Sequence, residues 1–529
     1  MAKHVPRAAI SATFGSCSVP AVTPTNSPDV RIQSNSGKRA TLLLPGLALV
    51  LRLAVFPFAK NIWGDAVART WLAFDWAAHP HVPTAFTDGV MQFGPLHIVL
   101  MGLLGTVWPE APVCGRALSL VVGVASVVPL MALARRYFGE RAAIVAAGVF
   151  SLWGLHVQCS TTSASEALCL FLVLAAIERI EAGLASGRVG AFALAGLATT
   201  FACATRYNLW LWAPCFALRV AFGTRRMKPT LVFAAVAASF PLLWMVGNWR
   251  ATGDPLYPLH DIEAFHRAWY VSEATSWTAA KMQWLTLFFW PGLALLSLSP
   301  LAALAGGVGA AVAIRRRHPS WWIVALAAGT LAYYTVRALA FSSFVPLARF
   351  AVDELALLCL FVEPGAVALA RVGRIGATSG LRVVVASAAL WVVGLGAFTT
   401  FTSVGLAESF LPISPCSRNL RRLEPVIEEL QRLTASGPGL LVVDSDPTGY
   451  DDLTLVYESG LPRSRVASFR APTYEATLAT GRPTWIVRFD RGPLPVRSEV
   501  GDALEFGERR FVASGKRSGA IQIYEVEAR

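Results

Sequence analysis

Charged side chains are scarce in this chain of 529 residues: Asp, Glu, Lys and Arg together make up 15%, against about 25% in soluble globular proteins. That scarcity argues against an ordinary soluble domain. The charge that is present leans positive, to a formal +13. No polar stretch carries a basic stripe interleaved with aromatics, so nucleic acid is not expected as a partner. Cysteines are few and poorly spaced for ligation. Cys114, Cys159, Cys169, Cys203, Cys215 and Cys359 lie in or beside apolar runs, and no CxxC or Cys/His ligand spacing occurs. Neither a disulfide framework nor a zinc site follows. No apolar core comes after Lys3 and Arg7, which speaks against a cleavable signal peptide.

Apolar residues, by contrast, fill 55% of the chain, and the mean hydropathy is +0.52. They gather in runs of roughly 16–25 residues, the length of membrane-crossing helices. The expected spans are 41–58, 116–134, 142–158, 166–180, 190–204, 208–222, 230–247, 284–312, 321–337, 347–370 and 382–400. The run 94–108 decides the topology. If it does not cross, the basic clusters at Lys38 and Arg39, Arg135 to Arg141, Arg179 and Arg188, Arg225 to Lys228, Arg315 to Arg317, and Arg371 to Arg382 all fall on one side. That is the pattern of the positive-inside rule. The expected fold is therefore an α-helical polytopic membrane protein with about eleven crossings, an interfacial helix at 94–108 and a cytoplasmic amino terminus.

Residues 1–37, rich in Ala, Ser, Thr and Pro, read as a disordered cytoplasmic tail, and 38–404 as the transmembrane domain. From 415 to 529 the apolar runs shorten. "GLLVVDSD" (439–446), "PTWIVRFD" (483–490) and "AIQIYEVE" (520–527) read as strands, and 419–433 as an amphipathic helix. This predicts a small extracytoplasmic α/β domain. Its "DSDPTG" turn needs no function to explain it.

In this topology several polar residues collect on the outer face. Asp65 in "AKNIWGDAVART" stands just beyond the first span, where a loop acid or a helix cap is the plain alternative. Glu166 opens a span, a place where an acid favours the helix dipole. Arg206 occupies a tight turn in "CATRYNLWLW", where a snorkelling anchor is the alternative. Arg349 and Asp353 are four apart, the spacing of a structural ion pair. Transfer of a sugar from a lipid phosphate would use such a set. It needs a base for the acceptor hydroxyl and positive charge for the departing phosphate. A phosphate monoester has a second pKa of about 6, so it leaves without a dedicated general acid, unlike the leaving group in glycoside hydrolysis.

The chain resembles the GT-C superfamily of polyprenyl-phosphate-sugar-dependent glycosyltransferases, in particular the bacterial branch of protein O-mannosyltransferases and the lipid A aminoarabinose transferase. The resemblance spans roughly residues 41–400. It rests on "LRLAVF…WGDA" (51–66), "FGPLHIVLMGLLG" (93–105), the stretch 135–173, "ATRYNLWLWAP" (204–214), "GNWRATGDPLYP" (247–258) and "ARFAVDELALL" (348–358). It implies Asp65 and Glu166 as catalytic acids and Arg206 as the donor-phosphate contact; Arg349, at the outer end of its span in this topology, is expected beside Arg206 as a second positive charge on the phosphate. Where many relatives carry "DE", this chain has Asp65-Ala66, and their Pro-Pro is Gly94-Pro95. The resemblance implies a polyprenyl-phosphate sugar donor, a glycan, lipid or protein acceptor and inversion at the anomeric carbon. It leaves a divalent metal ion open, because no metal-ligand set can be recovered from these residues.

A transporter or lipid flippase is the rival reading, supported by Glu363 deep in 347–370 but by no inverted repeat. A non-catalytic relative with a partner-binding outer domain is the third. Catalysis requires Asp65, Glu166 and Arg206 to meet at one outward cavity, whereas transport requires a polar path reaching Glu363.

Overall fold

The computed structural model describes residues 35–59, 64–90, 93–108, 113–272, 277–401, 423–435, 437–446, 451–469, 474–490, 492–518 and 521–527. Most of the chain expected as an amino-terminal tail lies outside these residues. Its last three positions instead open the helix Asn35–Val55. Helices continue to Phe401. Four are long and apolar enough to cross a membrane: Val113–Phe138, Trp321–Phe341, Ala348–Val372 and Ala377–Phe398. Met227–Ala237 and Ser239–Thr252 form a fifth candidate, bent by 41°. Pro241, in the first turn after the break, cannot donate a backbone hydrogen bond to the preceding turn, which accounts for the bend. Shorter apolar helices include Leu43–Phe58, Pro95–Val107, Val189–Thr205, Gln283–Leu298 and Pro300–Arg315.

The helix Ser165–Ser186 lies at the centre, buried along most of its length. It packs on Val113–Ala125, Val127–Phe138 and Val189–Thr205. At the periphery large apolar side chains point outward: Leu243 and Phe288 are 71% exposed and Leu390 74%. A water-facing surface would not carry so many; a lipid-facing one does.

Two further expected spans are interrupted, besides 230–247 with its bend. The span 284–312 breaks at Ser299, whose φ is 92°, because Pro300 starts a new helix and the Ser299 hydroxyl caps it by accepting from Ala302 N. The span 142–158 becomes Glu140–Leu152 and Gly154–Cys159, with Trp153 extended between them. The run 94–108 is the helix Pro95–Val107, packed against Gly64–Ala78.

The carboxy-terminal part is a mixed seven-stranded sheet of order β2-β1-β3-β7-β6-β5-β4. The strands are β1 (Leu440–Val443), β2 (Val466–Ser468), β3 (Pro483–Phe489), β4 (Ser498–Val500), β5 (Ala503–Phe506), β6 (Arg509–Ser518) and β7 (Ile521–Val526). β1 runs parallel to β2 and β3, and the remaining pairs are antiparallel. The expected helix appears as Glu424–Ala435. Asp444, at the end of β1, is fully buried. It accepts from Arg488 at 2.5 Å and from the backbone of Ser445 and Leu494 at 2.8 Å. This acid holds a turn together and faces no cavity described here.

Gly309 and Gly365 let two helices touch backbone to backbone. A Cβ at Gly365 would overlap the carbonyl of Ala305, and one at Gly309 the carbonyl of Phe361. Small residues at such crossings set the approach of membrane helices. Gly365→Leu is expected to destabilise the helical part by about 1–3 kcal/mol, the usual cost of overpacking, read as a lower unfolding temperature in detergent. An unchanged temperature would contradict the close packing.

Candidate active site

Four separate segments build the site. Asp65 lies in the first turn of Gly64–Ala78 and Glu166 in the first turn of Ser165–Ser186. Arg206 sits at an extended corner (φ −149°, ψ 132°) between Val189–Thr205 and the 3-10 turn Tyr207–Leu211. Arg349 belongs to the 3-10 turn Ala348–Ala351. Gly94 packs the interfacial helix against this corner: a Cβ there would overlap the backbone of Ala204 and Thr205. Tyr207 Oη donates to the carbonyl of Phe93 at 3.0 Å and tightens the same junction.

The charges pair across these segments. Arg349 Nη1 meets Asp65 Oδ2 at 2.6 Å, and Arg206 Nη1 pairs with Glu166 Oε1. The Phe350 ring centroid lies 5.3 Å from the Arg349 guanidinium carbon and 5.6 Å from that of Arg206. Asp65, Arg206 and Arg349 line one cavity of about 420 Å³. Glu166, 4% exposed, stands behind Arg206 and reaches the cavity through it.

The expected alternative of an Arg349–Asp353 pair does not form. Arg349 precedes the helix Val352–Leu358 in a 3-10 turn, so the two side chains do not share one helical face and the more distant Asp65 takes the arginine. Asp353 instead accepts from Cys169 Sγ at 3.8 Å.

Glu363 does not line the cavity. It pairs with Arg141 at 3.6 Å, so the feature that supported transport is an ion pair between two helices. The cysteines behave as small apolar residues. Cys114, Cys159, Cys169, Cys203 and Cys359 are buried and free, and Cys215 is exposed and free. Among the described residues no three His, Cys, Asp or Glu side chains gather to hold a metal ion.

Other residues at the site were not singled out by sequence. Glu354 is buried beside Asp353, and neither of its carboxylate oxygens has a hydrogen-bond partner among the described residues. His266 lines the cavity, and its Nδ1 accepts from the backbone of Val345 at 3.1 Å. Burial, reinforced by Arg337 and Arg349, pulls the imidazole down to about 4, so it is neutral at neutral pH. Arg69 also lines the cavity, one helical turn after Asp65. The sequence offered a signal for it, the Asp65-x-x-x-Arg69 spacing, which stacks the two side chains on one helix face.

The chain is thus a polytopic helical membrane protein with a carboxy-terminal mixed sheet, and acids and arginines from separate helices meet at one cavity. Residues 95–249 match the family model described as dolichyl-phosphate-mannose-protein mannosyltransferase. The fold is similar to that of ArnT from Cupriavidus metallidurans bound to undecaprenyl phosphate. That similarity has a TM-score of 0.57 at 13% identity and covers 93% of this chain and 98% of that one. The apo form of ArnT gives a TM-score of 0.54 at 13% identity, covering 92% and 98%. The Archaeoglobus fulgidus oligosaccharyltransferase complex with Zn and sulfate gives 0.46 at 13% identity, covering 85% and 68%. No curated protein matches by sequence.

The buried pair yields a stability prediction. Glu166→Ala leaves Arg206 without its counter-charge at 8% exposure and is expected to cost about 3–5 kcal/mol. Asp65→Ala, at a pair with more solvent access, should cost clearly less. Unfolding of both variants in detergent compares them, and equal losses would contradict the burial argument.

Proposed function

We propose that this protein is an integral-membrane glycosyltransferase that moves a sugar from a polyprenyl-phosphate donor to a glycan, lipid or protein acceptor at the outer face of the cytoplasmic membrane. The observation that carries this reading is the meeting of Asp65, Arg206 and Arg349 at one cavity, beside a segment that matches a mannosyltransferase family. The undecaprenyl phosphate held by the similar ArnT structure supports the donor class.

Asp65 takes the proton from the acceptor hydroxyl. The hydroxyl oxygen then attacks the anomeric carbon from the side opposite the phosphate, which gives inversion. The carbon–oxygen bond to the phosphate breaks and its electron pair leaves with the polyprenyl phosphate. Arg206 and Arg349 receive that charge, because a guanidinium can grip phosphate through two parallel hydrogen bonds. Phosphate binding also competes with Asp65 for Arg349, so a bound donor frees the Asp65 oxygen that Arg349 otherwise holds. Glu166 acts through Arg206 by holding its guanidinium in place.

The orientation belongs to this reading. About eleven crossings place the basic clusters inside and the domain 415–529 outside, on the charge rule for short loops. In a cysteine-free background, Arg316→Cys is expected to resist a membrane-impermeant thiol reagent in intact cells. Labelling there would overturn the orientation.

Asp65→Asn is expected to retain expression and folding while lowering turnover by about 10²–10⁴-fold, the worth of a positioned base. Near-normal transfer would remove Asp65 from that role. Arg206→Lys should weaken use of the donor, because Lys offers a point charge where Arg offers a fork. Donor kinetics equal to wild type would make Arg206 a mere anchor.

A further inference from the structure

Charge bookkeeping at the cavity leaves one cation over. Three arginines, Arg69, Arg206 and Arg349, line it. Glu166 neutralises Arg206 and Asp65 neutralises Arg349. Two further charged residues on the wall, Glu263 and Arg337, meet each other at 3.3 Å.

Arg69 has no such partner among the described residues. It is 6% exposed, and its Nη1 is buried without a hydrogen bond. Its guanidinium carbon sits 4.0 Å above the Phe93 ring. That stacking covers one face of the guanidinium plane and supplies no acceptor for the Nη1 donor on its edge. Burial lowers the group to about 10, so it still carries its charge at neutral pH. A buried cation at a cavity wall, with Nη1 unmet and only the more distant charges of Asp65 and Glu166 acting on it, is costly in the empty protein and pre-organised for an anion.

We propose that Arg69 is the specificity-determining cation of the cavity, the residue that receives the phosphate of an isoprenoid phosphate. This rests on the donor class proposed above and assigns its recognition to a residue outside the two ion pairs. Arg206 and Arg349 each share their charge with a carboxylate at Nη1, whereas Arg69 meets no carboxylate within ion-pair distance among the described residues. Arg69 is therefore the first contact and the one that separates a phosphorylated lipid from its alcohol. The same cavity has an apolar wall, including Leu256, Leu259, Ile262 and Phe265, which suits the isoprenoid but cannot tell the two apart.

The test compares binding of farnesyl phosphate and farnesol to the full-length protein in detergent, by thermophoresis. Wild type is expected to prefer the phosphate. Arg69→Met should reduce that preference by about 10- to 100-fold, the worth of charge-assisted hydrogen bonds, and leave farnesol binding unchanged. Arg69→Lys, which keeps the charge and the fold, should fall between the two and decides the matter if the Met variant does not fold. A preference kept in full by the Met variant, or by the Lys variant if only that one folds, would overturn the role of Arg69 and leave the donor class standing. No preference in wild type would overturn the donor class itself. Inorganic phosphate displacing farnesyl phosphate at equal concentration would overturn a lipid headgroup as the source of the anion.

Discussion

The pairing of buried arginines with carboxylates from distant segments governs the geometry of the cavity. A guanidinium withdrawn from water needs a counter-charge close by, and none is available on its own element. Arg206 therefore reaches across to Glu166 on the helix Ser165–Ser186, and Arg349 to Asp65 on Gly64–Ala78. Phe350 fills the space between the two cations. The elements cannot shift independently without separating charge in a medium of low dielectric. The same requirement explains why the site sits where helices end. Asp65 and Glu166 both occupy first turns, where unsatisfied backbone N–H groups favour an acid.

Much of this arrangement was legible because it follows from local rules. The apolar runs marked the helices, an acid just beyond the first run marked Asp65, and an acid opening a later run marked Glu166. All seven strands sit in the stretch 415–529 expected to be α/β, and three of these, β1, β3 and β7, were expected as strands. The others were hidden for physical reasons. β2 and β4 are only three residues long, and β6 begins with Arg509-Arg510 on the outer half of the sheet, where charge on an exposed strand masks the alternation. Arg349 shows the limit of spacing arguments. Four residues separate it from Asp353, but the turn between them is not α-helical, and a partner 284 positions away in sequence won. Glu354 and Arg69 went unnoticed because spacing places Glu354 beside Asp353 and Arg69 one turn from Asp65 but says nothing about whether either is buried or finds a partner. That information lies only in the tertiary packing.

The helix carrying Asp65 joins the two halves of the molecule. Asp65 and Arg69, four apart, lie on the face that lines the cavity. Val67 and Trp71, also four apart, fall on another face. They belong to the same core as Leu453 and Val456 of the helix Asp451–Glu458, which packs directly on Gly64–Ala78. On its remaining side the helix meets Pro95–Val107, where Gly102 admits the Trp76 ring. Its rotation is thus fixed between an apolar helix and the sheet-bearing part of the chain. A helix held on only one side could turn about its axis and carry Asp65 away from Arg349. Held on both, it presents the acid and the unpaired cation to the same space. The packing of the carboxy-terminal part therefore supports the cavity through this helix, although among the described residues neither Asp444 nor any other acid of that part lines it.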